Sequence, residues 1–367
     1  MIVKKRTVSS NLRSGLCLLA ISLVLSVAGC GTSTTSSNST VSPPAEAPKP
    51  IELKLAHFWP ATHTAEKDIA QGWIKAVEKA TDGKVKITSY PAETLLKSAE
   101  TYEGVVKGVG DIGISAYAYT RGRFPVVETF LLPGISNNNS KTASLALMEG
   151  IKTLKPKELQ DTHHLFSWAT GPGNLMSKTP LRELKDIKGL EIGATAGPRG
   201  DAIKLLGATP ITMPMPEWYE ALQKGMMKGG VAPLETMQGF RLGEVTGNYI
   251  TMTPFLYNQA FFCTMNLAKW NSIPADVQKQ ITDATEKFYV ENVPSVFDRI
   301  NEAGLKWTQD KKKVEIINLS EAETAKWIEL IKPLQTDYVT FLNSKGLDGE
   351  KILSAVKEVT GKNNKLK

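Results

Sequence analysis

Apolar and polar residues alternate with two different periods along most of the chain. The segment IELKLAHF at 51–58 alternates at period two, which indicates a strand, and the next segment places Ile69, Trp73, Val77 and Ala80 on one stripe of a helix. The later segments KVKITSY and DIGIS repeat the strand pattern. Strands that alternate with helices predict an α/β fold, with a mostly parallel sheet covered on both faces.

A second unit of this kind spans residues 181–230. It begins with a predicted strand over KDIKGLEIG and continues with a helix over 198–206. Gly207 is the expected C-cap of that helix, because glycine takes the left-handed conformation at low cost. TPITMPM is predicted to be a further strand, and Pro216 then begins a helix over EWYEALQKGM. The chain therefore contains two successive α/β units.

The glycine-rich segment SWATGPGN at 167–174 separates the two units, and we expect it to act as a hinge. After Pro274 a helical pattern extends to about residue 300. Pro294 interrupts this pattern, and an interior proline costs a helix about 3 kcal/mol. We therefore expect the helix to kink or end there.

Residues 1–29 have the pattern of a targeting signal and are set apart from the fold. The basic segment MIVKKRTVSSNLRS precedes the apolar run GLCLLAISLVLSVA, and the tetrapeptide VAGC that ends at Cys30 matches a bacterial lipobox. In such signals the cysteine is diacylated and becomes the new N-terminus, which predicts a lipoprotein anchored to the membrane through palmitate-like chains on Cys30. The alternative is an ordinary signal peptide with a coincidental cysteine. Residues 31–50, rich in Ser, Thr and Pro, are predicted to form a flexible linker.

Charge and cysteine content narrow the class of protein. The formal net charge is +7, and the four basic residues of 1–29 account for more than half of it. The remainder is mildly basic and has no basic patch with interleaved aromatic residues, so we expect no nucleic-acid partner. Cys263 is the single cysteine beyond residue 30 and is expected to be a small core residue.

Motifs of the common catalytic and cofactor sites are missing from the sequence. The segment GVGDIG at 108–113 matches a dinucleotide-loop pattern, but a helix precedes it and a strand follows it, which is the reverse of the required order. His163 and His164 are adjacent on a predicted strand and point to opposite faces, so they cannot share a metal ion. There is no phosphate-binding loop, no HExxH and no GxSxG. The sequence predicts no catalytic residue, no cofactor and no metal site.

The segment DIKGLEIG, followed by LGATPITMPMPEWYEALQKGMMKGG, resembles the core signature of the DctP family, the extracytoplasmic solute receptors of TRAP transporters. The resemblance runs from about residue 51 to the C-terminus. It implies a two-lobe periplasmic-binding-protein fold (type II-like), with a hinge and a long helix that crosses both lobes. We expect lobe I over 51–170 plus about 263–300, and lobe II over 171–262 plus about 301–360.

The implied function is capture of a small organic solute outside the cytoplasm and its delivery to the membrane subunits of a TRAP-type secondary transporter. Two alternatives remain open at this point. A receptor that reports to a membrane sensor would share every one of these sequence features. A lipoprotein hydrolase or transferase would need a nucleophile with a base, or a metal cluster, and the sequence shows no such spacing.

In a two-lobe α/β protein the ligand site lies in the crevice at the strand ends. The predicted ligand-binding residues follow strand ends, flank the hinge or lie in the return segment. They are His57, Trp59, Tyr117, Trp168, Asn174, Gly193, Arg199, Met215, Glu235 and Asn258. Tyr119 follows the same strand end as Tyr117. Each also has a structural interpretation, as a core aromatic, a packed methionine or a solvated charge.

Three positions depart from the family pattern. The family's strand arginine, which pairs with the ligand carboxylate, corresponds to Gly193, a secondary arginine to Gly173, and an asparagine to Ala232. The first interpretation is a bulkier, less acidic ligand that fills the space beside Gly193, and three losses favour it. The second is that Arg199 has taken over the charge, although a residue at a helix start could simply be solvated.

Overall fold

The computed structural model describes residues 49–135 and 137–366. The predicted signal peptide, Cys30 and nearly all of the predicted linker lie outside the described residues. The described chain belongs to one compact unit that spans residues 48–367. No described helix is long and apolar enough to cross a membrane.

Strands and helices alternate as the hydrophobic pattern predicts. The strands are β1 Ile51–His57, β2 Val85–Tyr90, β3 Ile112–Ala116, β4 Thr162–Ala169, β5 Asn174–Ser177, β6 Glu191–Ala194, β7 Thr209–Thr212, β8 Gly229–Ala232, β9 Tyr249–Met252, β10 Ala260–Asn266 and β11 Glu315–Asn318. The helices are α1 Gln71–Ala80, α2 Thr101–Val106, α3 Pro125–Glu128, α4 Ser140–Leu154, α5 Leu184–Ile187, α6 Pro198–Leu205, α7 Trp218–Gln223, α8 Thr236–Gly239, α9 Leu242–Val245, α10 Leu267–Asn271, α11 Ala275–Asn292, α12 Val296–Lys311, α13 Glu321–Ile331, α14 Pro333–Ser344 and α15 Gly349–Asn363.

Two details of the 181–230 unit differ from the prediction. The segment KDIKGLEIG is not one strand, because Glu183 and Asp186 form a reciprocal capping box around the short helix α5, and the strand begins only at Glu191. Helix α7 begins at Trp218, since Pro216 lies in a 3₁₀ turn. The expected left-handed Gly207 is confirmed, with φ of 90°.

The strands form two sheets, one in each lobe. Lobe I contains the five-stranded sheet in the order β2-β1-β3-β10-β4, and lobe II contains the six-stranded sheet in the order β11-β9-β5-β8-β6-β7. In lobe I, β1 is parallel to β2 and β3, whereas β10 is antiparallel to β3 and β4. In lobe II, β6 is parallel to β7 and β8, whereas β5 is antiparallel to β8 and β9. The antiparallel pairs involve the strands next to the two crossings between the sheets, a feature that local periodicity does not predict.

Two segments, 170–173 and 253–259, cross between the lobes side by side. Thr170 N–H donates to the carbonyl of Gln259 at 2.8 Å, and Gly173 N–H donates to the carbonyl of Tyr257 at 2.8 Å. The glycine-rich segment predicted as a hinge therefore contains one of the two crossing segments, which are hydrogen-bonded to each other. Such short crossings are the places where lobe rotation can be absorbed.

The long helical pattern after Pro274 forms two helices. Helix α11 ends at Asn292 and α12 begins at Val296, so the expected interruption at Pro294 is confirmed. Helix α12 packs against α4 of lobe I and α8 of lobe II, and it is therefore the element that crosses both lobes.

The C-terminal helices divide between the lobes, which corrects the assignment of 301–360 to lobe II. Trp327 of α13 packs among lobe II residues. Tyr338 of α14 and Val356 of α15 instead pack with Phe124 and Leu147 of lobe I. The apolar faces of these helices need partners, and α4 packs against α15 while α15 in turn packs against α14.

Candidate ligand site between the lobes

Aromatic side chains from both lobes meet in the crevice. Trp59, which follows β1, lies 6.0 Å from Trp168 of β4 between ring centroids. Phe58 stacks on Phe240 of lobe II at 6.2 Å. Tyr119 packs edge-on against Phe58 at 5.5 Å, and its hydroxyl accepts a hydrogen bond from Met215 N–H at 3.1 Å. The structure thus brings the predicted residues Trp59, Trp168 and Met215 to one aromatic region.

Arg199 is buried in this region, so the interpretation as a solvated residue is wrong. Its side chain projects from the first turn of α6, and the residue is 5% exposed. The guanidinium donates to Gln259 Oε1 at 2.7 Å and lies 4.1 Å above the ring of Tyr257. Burial lowers the pKa of Arg199, against the raising effect of Tyr257, Tyr119 and Glu128. Among the described residues no carboxylate forms an ion pair with it.

The space beside Gly193 is occupied by the protein itself. A Cβ built on Gly193 would lie 2.7 Å from Met227 Sδ and 3.1 Å from the Trp218 ring. A Cβ on Gly173 would overlap the ring of Tyr257, and Ala232 is fully buried. The expectation that a bulkier ligand fills the space beside Gly193 is therefore wrong, because larger neighbours have already filled it.

Asn174 and Asn258 hold the crossing segments together. Asn174 Oδ1 accepts from Thr253 N–H at 3.0 Å, and Asn258 Nδ2 donates to the carbonyl of Thr170 at 2.9 Å. Tyr117 lies in a different apolar cluster, where its hydroxyl is 2.7 Å from Ser167 Oγ. These three predicted residues have partners within the protein.

His57 lies between the aromatic region and Glu66, and it contacts both. It is fully buried, its Nε2 lies 2.6 Å from Glu66 Oε2, and its ring centroid lies 5.6 Å from that of Trp59. Burial raises the pKa of Glu66, but the hydrogen bonds with His57, Gln71 and Ser89 and the electrostatic effect of His57 together outweigh it, so the net shift is downward. His57 thus holds the end of β1 against the following helical turn.

Glu235 is also buried, at 5% exposure, and pairs with His63 across the lobes at 3.0 Å. It lines a cavity of about 360 Å³ together with His63, Gln238, Gly239 and Trp307. Sequence reasoning missed His63, Phe240, Tyr257 and Gln259. The last two flank Asn258 in the return segment, which was the available signal. No group of three described His, Cys, Asp or Glu side chains is placed to hold a metal ion.

Comparison with known proteins agrees with this architecture. The chain is 26% identical over 319 residues to the C4-dicarboxylate-binding periplasmic protein DctP of Rhodobacter capsulatus, covering 85% of this chain and 92% of that protein. A TRAP periplasmic solute-binding protein from Desulfovibrio salexigens is 36% identical with a TM-score of 0.72, covering 85% of this chain and 96% of that one. A TRAP solute-binding protein from Rhodoferax ferrireducens, in complex with copurified benzoate, is 26% identical with a TM-score of 0.80, covering 86% of this chain and 99% of that one.

The family profile described as bacterial extracellular solute-binding protein, family 7, matches residues 55–340, which is most of the chain. The proteins of this family are solute receptors rather than enzymes. With its two sheets and its crossing segments, the chain belongs to the DctP family of extracytoplasmic solute-binding proteins of TRAP transporters.

Proposed function

We propose that this receptor captures a small aromatic carboxylate between its lobes, with Arg199 as the partner of the carboxylate group, and delivers it to the membrane subunits of a TRAP permease. The burial of Arg199 without a carboxylate partner carries the proposal. A buried charge costs several kcal/mol unless it is paired, and the planar guanidinium matches a carboxylate. A carboxylate ligand would supply the missing charge.

The walls of the crevice support an aromatic ligand. Phe58 of lobe I and Phe240 of lobe II line one cavity of about 260 Å³, and Trp59 packs in the core against both Phe58 and Trp168. The indole Nε1 of Trp168 is buried without a hydrogen-bond partner among the described residues. It is a donor that a polar ligand atom could satisfy.

Two structural relatives agree with this ligand class. The Rhodoferax ferrireducens protein, 26% identical, contains copurified benzoate. A marine metagenome TRAP solute-binding protein, 27% identical with a TM-score of 0.81, is specific for aromatic acid ligands and was crystallised with 3-hydroxybenzoate.

Calorimetric titration of benzoate and its neutral isostere benzamide tests the proposal. We expect benzoate to bind and benzamide to bind far more weakly. Arg199→Gln should weaken benzoate binding by about 2–5 kcal/mol, because a desolvated, charge-assisted pair is lost. The matched control is Arg182→Gln, which removes a half-exposed arginine paired with Glu315 and should change affinity by less than about 0.5 kcal/mol. Equal affinity for the acid and the amide, or an unchanged affinity in Arg199→Gln, would contradict the proposal.

We also propose that the mature receptor lies outside the cytoplasm and is held at the membrane by acyl chains on Cys30. The lipobox VAGC and the Ser, Thr and Pro-rich segment at 31–50 support this. More than one acyl chain gives stable anchoring, since each buried methylene contributes about 0.8 kcal/mol.

A further inference from the structure

The pair formed by His63 and Glu235 lies in the crevice and is distinct from Arg199. His63 follows β1 in lobe I, and Glu235 precedes α8 in lobe II. Both residues are nearly fully buried, at 2% and 5% exposure, and His63 Nε2 lies 3.0 Å from Glu235 Oε2. The Glu235 backbone is itself held by α12, since its N–H donates to Asn301 Oδ1 at 2.9 Å.

Hydrogen bonding determines which ring nitrogen of His63 carries the proton. Its Nδ1 accepts a hydrogen bond from Ala65 N–H at 3.0 Å, so this nitrogen carries no proton. The proton must therefore be on Nε2, which donates to Glu235 Oε2. His63 is thus a neutral donor, and it places a hydrogen bond but no positive charge beside the Glu235 carboxyl group.

The backbone at Gly239 is shaped around this pair. A Cβ on Gly239 would overlap Nε2 of His63 and would lie 2.9 Å from Glu235 Oε2. Within the described part of the chain, no lysine or arginine forms an ion pair with Glu235, although Arg241 lines the same cavity and pairs instead with Glu244.

Arg199 and Glu235 are therefore two buried residues of opposite charge type, and the side chains that hydrogen-bond to them, Gln259 and His63, are neutral. Arg199 and Glu235 both affect the pKa values of two phenols, Tyr257 and Tyr119. Burial raises the pKa of Tyr257 above its ordinary value; Arg199 lowers it and Glu235 raises it further. The same two charges act in the same directions on Tyr119, whose pKa burial also raises. The ring contacts give the same proximity, because the His63 ring centroid lies 6.0 Å from that of Trp59 and 5.1 Å from that of Phe240, so the His63–Glu235 pair borders the aromatic region of the crevice.

We propose that the ligand carries, besides its carboxylate, a hydroxyl or ammonium group that donates a hydrogen bond to Glu235, and that Glu235 selects such ligands. This inference rests on the proposed function, because the carboxylate is assigned to Arg199. The neutral His63 satisfies one lone pair of the Glu235 carboxylate and leaves acceptor capacity for a donor on the ligand. A site built to accept a hydrogen bond rejects an analogue that lacks the donor, because its own buried acceptor is then left unpaired.

The experiment compares matched benzoates by calorimetric titration. At each of the three ring positions, the hydroxyl-substituted benzoate is compared with the methyl-substituted one and the aminomethyl-substituted benzoate with the ethyl-substituted one. Each donor probe thus has a methyl counterpart, in which a methyl group of similar size replaces the hydroxyl or ammonium donor. We expect at least one donor probe to bind about 10-fold or more tightly than its methyl counterpart, as for a hydrogen bond to a charged group. The stronger of the hydroxyl and aminomethyl probes identifies the donor.

Glu235→Gln should reduce this preference to about 3-fold or less, while Glu220→Gln, which removes an exposed carboxylate paired with Lys224, should leave it unchanged. Thermal unfolding verifies that both variants fold, and the probe series on the unsubstituted protein decides the question if one does not. The inference is overturned if no donor probe exceeds its methyl counterpart, or if the preference persists in a folded Glu235→Gln variant. If benzoate binding depends on Arg199 while the donor preference is missing, this inference alone fails. If no benzoate binds, the proposed function fails as well.

Discussion

Single residues in this protein take their chemical character from burial. Glu128 of α3 illustrates this in a separate cavity, which it lines together with Pro198 of α6 and Tyr338 of α14. It is 7% exposed, and its Oε2 accepts a hydrogen bond from the Tyr338 hydroxyl at 3.3 Å. Burial raises the pKa of Glu128 to about 7, against the lowering effects of the Tyr338 hydrogen bond and the Arg199 charge. A glutamate that a sequence would place on the surface therefore titrates near neutrality.

This shift predicts a pH dependence of folding stability. The folded pKa of Glu128, about 7, lies above that of the unfolded chain, so the folded protein binds more protons between pH of about 4.5 and 7. The free energy of unfolding should therefore contain a component that is present below this window and is lost as pH rises through it. Glutamine does not titrate, so Glu128→Gln should remove this pH-dependent loss of stability, which we expect to be about 1–3 kcal/mol.

Urea denaturation of both proteins at pH values across and above this window measures the difference. Glu158, with a pKa raised by burial to about 7, and His164, with a pKa lowered by burial to about 4, titrate in both proteins. The interpretation of Glu128 is contradicted if the two proteins lose stability in parallel as pH rises.

At the scale of elements, the strands of lobe II are shaped to receive a helix. Gly193 of β6 and Gly230 of β8 are paired directly in the sheet, and both lie against the ring of Trp218 from α7. Two neighbouring residues without side chains leave a flat area on the sheet, and the indole of Trp218 packs directly on it. The position that carries an arginine in related receptors is thus used here for packing.

Gly230→Ala tests this packing. A Cβ on Gly230 would overlap the Trp218 ring, so we expect a loss of about 1–3 kcal/mol in the free energy of unfolding, as for overpacked cores. The smaller ring in Gly230→Ala/Trp218→Phe should recover part of the loss relative to Trp218→Phe alone. Gly361→Ala in α15 is the control, since its Cβ would contact nothing within 4 Å and alanine favours a helix by about 0.5–1 kcal/mol. Urea denaturation of the four variants and of the unsubstituted protein gives their free energies of unfolding. Equal stability of Gly230→Ala and the unsubstituted protein would refute the packing argument.

At the scale of the whole molecule, the two lobes are joined by several independent links. The crossing segments 170–173 and 253–259 are hydrogen-bonded to each other. Helix α12 packs on both lobes, and α14 packs on α6 of lobe II while α15 packs on α4 of lobe I. The His63–Glu235 pair and the Phe58–Phe240 stack add contacts on the crevice side. A ligand in the crevice would touch elements from both lobes.

The proposed anchor predicts where the whole molecule is held in the cell. Cys30→Ala should abolish incorporation of labelled palmitate and release the protein from the membrane fraction, because Cys30 is the proposed acylation site. Cys17→Ala, which changes another cysteine of the N-terminal apolar run, should retain the label. Mass spectrometry of the purified mature protein checks the modification directly. An unsubstituted protein without an acyl chain would show that the anchor does not exist.

Local patterns in the sequence determined the type of most elements, the family and the position of the first crossing at 170–173. Hydrophobic periods, glycines and prolines act over a few residues, so the break at Pro294 and the cap at Gly207 could be predicted from neighbours alone. The fate of individual side chains could not. Whether Arg199 is solvated or buried depends on Gln259 and Tyr257, about 60 residues away.

Only the tertiary structure brought together groups that are far apart in the chain. His63 and Glu235 are separated by 172 positions and meet because the lobes face each other. The space beside Gly193 is filled because Trp218 and Met227 pack over it. The apolar faces of α14 and α15 are buried because these helices pack with residues of lobe I. Periodicity specifies which face of an element is apolar, but burial, pairing and charge in the crevice depend on which distant element covers that face.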